Sequence, residues 1–193
     1  KLHLGSSGNT YSVITSGTSS NGVLAFSDDG TERGAIDYDH NGDHMSFKTT
    51  AGERLRITSN GEVLIGHTAV IGHNGVDGYL QVTGTGSDSS SFNLNRFSAD
   101  NWCPFITFGK SRNATKGSHT VVQDGDYIGY IQFAASDGTD FNNAAANLIC
   151  QIDGTPGTDD TPGRLIFKTC ADGTNSPTER VRIDKNGQLV LSN

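Results

Sequence analysis

Two stretches of the chain alternate charged and apolar residues with the period of a half-buried strand, Arg54-Leu55-Arg56-Ile57 and Arg180-Val181-Arg182-Ile183. Each is followed by Asn-Gly and then by a short aliphatic run, Val63-Leu64-Ile65 or Leu189-Val190-Leu191. The pattern predicts two β-hairpins, with Asn60-Gly61 and Asn186-Gly187 at the tips as type I′ turns. The returning arms are apolar on both faces, so cover is expected on both sides. Aligned from Glu53 and from Glu179, the two copies are identical at six of fourteen positions.

The repetition extends upstream. Gly22-Val23-Leu24-Ala25-Phe26 parallels Gly129-Tyr130-Ile131-Gln132-Phe133, with Asp-Gly turns after each, and Met45-Ser46-Phe47-Lys48-Thr49 parallels Leu165-Ile166-Phe167-Lys168-Thr169. Asn41-Gly42 marks a further hairpin tip. Tyr79–Thr83, Phe105–Phe108 and Thr120–Gln123 are expected as strands, and Gly84–Ser91 as a flexible linker. Phe141–Asn147 is the single stretch expected to form a short helical turn. Lys1-Leu2-His3-Leu4-Gly5 resembles the end of a preceding hairpin unit, so the chain is expected to be a piece of a longer modular protein. The expected divisions are 1–21, the end of a preceding module and a connector; 22–68, the first module; 69–92, a linker with a short strand; and 93–193, a second, expanded module.

Composition supports this picture. Gly, Thr, Ser, Asp and Asn supply half of the 193 residues, and seventeen Asp stand against four Glu, which suits turns and solvated strands and disfavours helices. A net charge of −7 without a basic run argues against nucleic acid as a partner. No apolar stretch is long enough for a membrane-spanning helix. Cys103, Cys150 and Cys170 are too widely spaced for a zinc knuckle or a disulfide framework, which fits folding in a reducing compartment. Thin hairpins of this kind bury too little surface to stand alone and need neighbours.

Candidate chemistry is sparse. Asp37, Asp39, Asn41, Gly42 and Asp43 imitate the start of a calcium loop, but Lys48 occupies the position that needs a bidentate Glu. Gly109-Lys110-Ser111 lacks the earlier glycine of a phosphate loop. The six histidines are scattered, and acidic pairs in an Asp-rich chain are accidental. No catalytic residue, metal site or cofactor is therefore expected. Glu53, Arg54, Arg56, Glu179, Arg180 and Arg182 are expected to pair between strands or chains and fix register. Trp102, the lone tryptophan, is a weak candidate for stacking on a sugar.

Gly34-Ala35-Ile36-Asp37-Tyr38-Asp39-His40, Gly109-Lys110-Ser111-Arg112 and Gln123-Asp124-Gly125-Asp126-Tyr127-Ile128-Gly129 occur here in order. They are followed by Asp153-Gly154-Thr155-Pro156-Gly157 and Pro177-Thr178-Glu179-Arg180-Val181-Arg182-Ile183. In that order they resemble tail-fibre and tail-spike proteins of tailed bacteriophages, over most of 22–68 and 93–191. Leu55 and Val181 stand where that family often carries Met, a volume-similar exchange. The resemblance implies an all-β fold of repeated short hairpins and small sandwich-like units in an elongated homotrimeric fibre. It further implies a structural virion protein without catalysis, assembled in the host cytoplasm, that takes part in host attachment. The implied partners are sister copies, other tail or baseplate proteins, and a glycan or protein receptor on the host surface. The chaperone-like domain that ends many such fibres is not among these 193 residues, so trimer assembly is not assigned to it. A carbohydrate-binding or carbohydrate-degrading module and a cell-surface adhesin or filament subunit are the alternatives.

Overall fold

A computed structural model describes residues 5, 7–50, 52–73 and 75–192. Lys1 to Leu4, on which the resemblance to a preceding hairpin unit rests, lie outside the described residues. Eleven strands and one three-residue 3-10 turn, Ser87–Ser89, make up the regular structure. The chain divides into two compact units, Lys1–Ile71 with Asp77–Asn93, and Gly72–Val76 with Leu94–Asn193.

The first unit is one sheet in sequence order: β1 (Asn21–Asp28), β2 (Thr31–Asp39), β3 (His44–Thr49), β4 (Gly52–Ile57), β5 (Val63–Ile65) and β6 (Leu80–Val82). Neighbours up to β5 are antiparallel, and β6 joins β5 in parallel. The second unit repeats the meander with β7 (Tyr127–Ala135), β8 (Asn143–Ile152), β9 (Gly163–Thr169), β10 (Thr178–Ile183) and β11 (Leu189–Leu191). Strand for strand, β7 to β11 correspond to β1 to β5, so the repetition seen in the sequence is a repetition of whole sheets.

Several local expectations are corrected. Phe141–Asn147 forms no helical turn; from Asn143 it is part of β8, the central strand of its sheet. Pairing on both sides outweighs the helix preference of its three alanines. Phe105–Phe108 and Thr120–Gln123 are extended but form no ladder, because neither finds a neighbouring strand among the described residues. The tips at Asn60-Gly61 and Asn186-Gly187 are not type I′. Gly61 N–H donates to Thr58 C=O and Gly187 N–H to Asp184 C=O, and only the glycines have positive φ, 92° and 75°. These are three-residue loops, a type I turn followed by a left-handed glycine. At the β2–β3 tip, Asp43 and not Asn41 or Gly42 takes the positive φ, 47°. The type I′ turn lies instead at Asp29-Gly30, where both central residues have positive φ and Asp28 pairs with Thr31.

Candidate assembly surface

Register in both units is set at the same place. Between Phe47↔Leu55 and Lys48↔Glu53 the ladder skips Arg54; between Phe167↔Val181 and Lys168↔Glu179 it skips Arg180. The extra residue is a β-bulge, and it brings Glu53 onto the face that carries Arg56. Arg56 Nε and Nη2 then donate to Glu53 Oε1 and Oε2 at 2.7 and 2.8 Å. Arg182 Nη1 donates to Glu179 Oε1 at 2.8 Å. The skipped arginines also match: Arg54 Nε donates to Thr49 Oγ1 at 3.0 Å and Arg180 Nε to Thr169 Oγ1 at 2.9 Å. The charged pairs thus form within one strand, and Arg54 and Arg180 reach the neighbouring strand.

One face of the first sheet is polar yet well covered. The row Val23–Asp37–Ser46–Arg56–Leu64–Gln81 crosses it, and Asp37 is 3% exposed. Asn21 Nδ2 donates to Asp37 Oδ1 at 2.8 Å and Lys48 Nζ donates to Oδ2. Burial pushes the Asp37 carboxyl up, but Lys48 and Asn21 outweigh it and hold the group below its ordinary value. The equivalent row of the second sheet is Tyr130–Ile149–Ile166–Arg182–Val190, with Ile149 and Ile166 in the places of Asp37 and Ser46. That exchange of a polar for an aliphatic pair hid the correspondence of β2 with β8 in the sequence. Beside it, buried Asn147 leaves its Oδ1 without a partner.

The opposite faces are apolar and open. In the first sheet the rows are Leu24–Ile36–Phe47–Leu55–Ile65–Val82 and Gly22–Tyr38–Met45–Ile57–Val63–Leu80. In the second they are Ile131–Leu148–Phe167–Val181–Leu191 and Gly129–Cys150–Leu165–Ile183–Leu189. Leu24, Phe47, Ile57, Ile65, Leu80 and Val82 remain more than a third exposed, as do Ile131, Phe133, Phe167, Ile183, Leu189 and Leu191. The arms β5 and β11 are therefore covered on one side at most, where cover on both was expected. The fully buried apolar set is small: Ala35, Leu64, Val122, Ala144, Ile149, Ile152 and Ile166 among the described residues.

The total surface tells the same story. The chain exposes 14199 Å². Two separate folded bodies of about 10 kDa each are expected to expose roughly 10,600 Å² together, and bodies in contact less. The excess, about 3,600 Å², is on the scale of an obligate protein–protein interface.

The loop before β7 holds the other singled-out residue. Trp102 is 68% exposed, with its ring 6.0 Å from that of Phe105. Arg96 braces this loop: Nη1 donates to the Trp102 carbonyl at 2.8 Å and Nη2 to Asp100 Oδ2 at 2.6 Å. Asp100 also accepts from Trp102 N–H at 2.9 Å, and Arg96 and that N–H hold its carboxyl far below the usual range. Arg112 pairs in the same way with Asp126, through Nε and Nη2 at 2.7 and 2.8 Å. All three cysteines are free thiols. Among the described residues no group of three or more His, Cys, Asp or Glu is placed to hold a metal ion, and no helix is long and apolar enough to cross a bilayer.

No protein-family model and no curated protein sequence matches the chain. Solved structures do. The carboxy-terminal domain of the bacteriophage T5 L-shaped tail fibre superimposes with a TM-score of 0.70 at 15% identity, over 98% of this chain and 88% of that one. The same domain with its intra-molecular chaperone domain gives a TM-score of 0.72 at 15% identity; 99% of this chain is covered, and it spans 62% of that longer chain. The successive meander sheets, bulged at matching arginines, are thus an all-β fold that this chain shares with the carboxy-terminal domain of a bacteriophage tail fibre.

Proposed function

We propose that this protein is a structural, non-catalytic segment of a phage tail fibre whose open apolar sheet faces pack against sister copies, as a parallel homotrimer. The observation that carries the reading is the pair of apolar faces left in water while the charged faces are braced within the chain. Water-exposed rows of this size are stable only when something covers them. Identical copies supply the same rows at the same height. The shared fold supports the same reading and with it a place in the virion, contact with other tail proteins and a part in host attachment. Multi-angle light scattering on the purified chain tests it: a species near three times 20.4 kDa is expected, and a monomer that persists at micromolar concentration overturns it.

A carbohydrate-contact reading rests on Trp102 alone, an exposed ring on a loop tied down by Arg96 and Asp100. Aromatic faces stack on the apolar faces of sugars. Binding on a glycan array that Trp102→Ala abolishes supports it, and an array without signal removes it.

A further inference from the structure

The two sheets match until their last strand. In the first, β6 closes the outer edge of β5: Val63 N–H donates to Tyr79 C=O at 2.7 Å and Thr83 N–H to Ile65 C=O at 2.9 Å. In the second, β11 takes the place of β5 and uses its inner groups in the same way. Ser192 N–H donates to Arg180 C=O at 2.9 Å and Asp184 N–H to Gln188 C=O at 3.0 Å, as Gly66 does to Arg54 at 3.2 Å and Thr58 to Glu62 at 3.0 Å. The N–H and C=O groups of Leu189 and Leu191 therefore face outward, and among the described residues no strand pairs with them. Their side chains are 67% and 71% exposed, against 38% for Ile65 beside β6.

The opposite edge of this sheet is protected and β11 is not. Pairing of β7 skips Ile128 and slips again at Phe133/Ala134, and bulges of this kind keep stray strands off an exposed edge. Leu189-Val190-Leu191 carries no proline, charge or bulge. Packing of sheet faces between copies covers the leucine side chains but leaves the outward backbone groups without partners, since only a strand satisfies a strand edge.

We infer that β11 accepts a parallel β-strand from a separate polypeptide, one that resembles Tyr79–Thr83. Such a strand places bulky apolar residues, as Leu80 and Val82 are placed, at the ends of the two apolar rows, and sets a side-chain amide between them. Gln81 shows the use of that amide: it donates to Gly78 C=O at 3.1 Å and accepts from Ile71 N–H at 3.0 Å, so the strand arrives with its own loop folded against it. The similar stretch Tyr11–Thr15 is engaged in the first unit, where Ile14 lies against Gly22 on β1. The inference goes beyond face-to-face assembly and does not rest on it.

The test is hydrogen exchange at the Leu189 and Leu191 amides of the full chain. The probe is a peptide of residues 67–84, added at about 1 mM, and the same segment fused after Asn193 raises its effective concentration. Both forms are expected to slow exchange at these two amides at least about tenfold, leave the inner Val190 amide unchanged, and lose the effect with Gln81→Pro in the added segment. Three results overturn the inference. One is no slowing in either form. The second is slowing in the fused form alone, which assigns the edge to a strand of the same polypeptide. The third is slowing that grows with the concentration of the chain by itself, which assigns it to a second copy.

Discussion

Phe133 on β7 gives the sharpest test of what the apolar faces do. It borders the open rows beside Ile131 and is 58% exposed. A phenylalanine side chain carries roughly 200 Å², so about 120 Å² of it still faces water in a single chain. Burial of that remainder in an assembly is worth about 3 kcal/mol per copy at 25 cal/mol per Å². The intrachain share, about 80 Å², is worth about 2 kcal/mol to the fold itself. Phe133→Ala is therefore expected to lower the unfolding free energy of one chain by about 2 kcal/mol. It is expected to weaken a trimer by about 9 kcal/mol. That is about six powers of ten in the three-body constant, and so about a thousandfold in the concentration at half assembly. Light scattering over a dilution series reads the second quantity and urea unfolding the first. Asp172→Ala, in the exposed turn between β9 and β10, serves as the control and leaves both unchanged. A half-assembly concentration that moves less than tenfold while chain stability falls as expected refutes the argument.

Other consequences follow from the braced faces and the turns. Glu53→Ala strands the half-buried Arg56 guanidinium and is expected to cost about 1–3 kcal/mol in urea unfolding. Glu179→Ala costs less than half of that, because its contact to Arg182 is single and more exposed. The Asp37 carboxyl is held below its ordinary value, so its contribution is present above about pH 4 and is lost as pH falls through the folded-state value. Asp37→Asn is accordingly less stable than the parent at pH 7, and the gap between the two urea midpoints closes below pH 4. Gly66 has a φ of 81° and a Cβ there lies 2.2 Å from Thr83 C=O. Gly66→Ala is expected to cost at least about 1–2 kcal/mol and to release β6, seen as faster amide exchange at Val63.

Much of this was legible in one dimension. Alternation in Arg54–Ile57 and Arg180–Ile183, glycine at the loop ends and the doubled hairpin are local properties, and local properties survive folding with their meaning intact. So the two modules, the strands β1, β3 to β6, β7 and β9 to β11, and the turn positions follow from residue pattern. What pattern cannot supply is partnership. Asn143–Ala146 has the composition of a helical turn and becomes strand because β7 and β9 stand on either side of it. Phe105–Phe108 has the pattern of a strand and stays unpaired because nothing stands beside it. The bulge that places Glu53 next to Arg56 follows from the mismatch between two strands and is invisible in either one alone. Sequence by itself determined that this chain makes thin, repeated β-ribbons with one oily and one charged side. Only the tertiary structure decided which side is sealed. Long charged side chains close the polar face by reaching one another, whereas short aliphatic ones need a second surface.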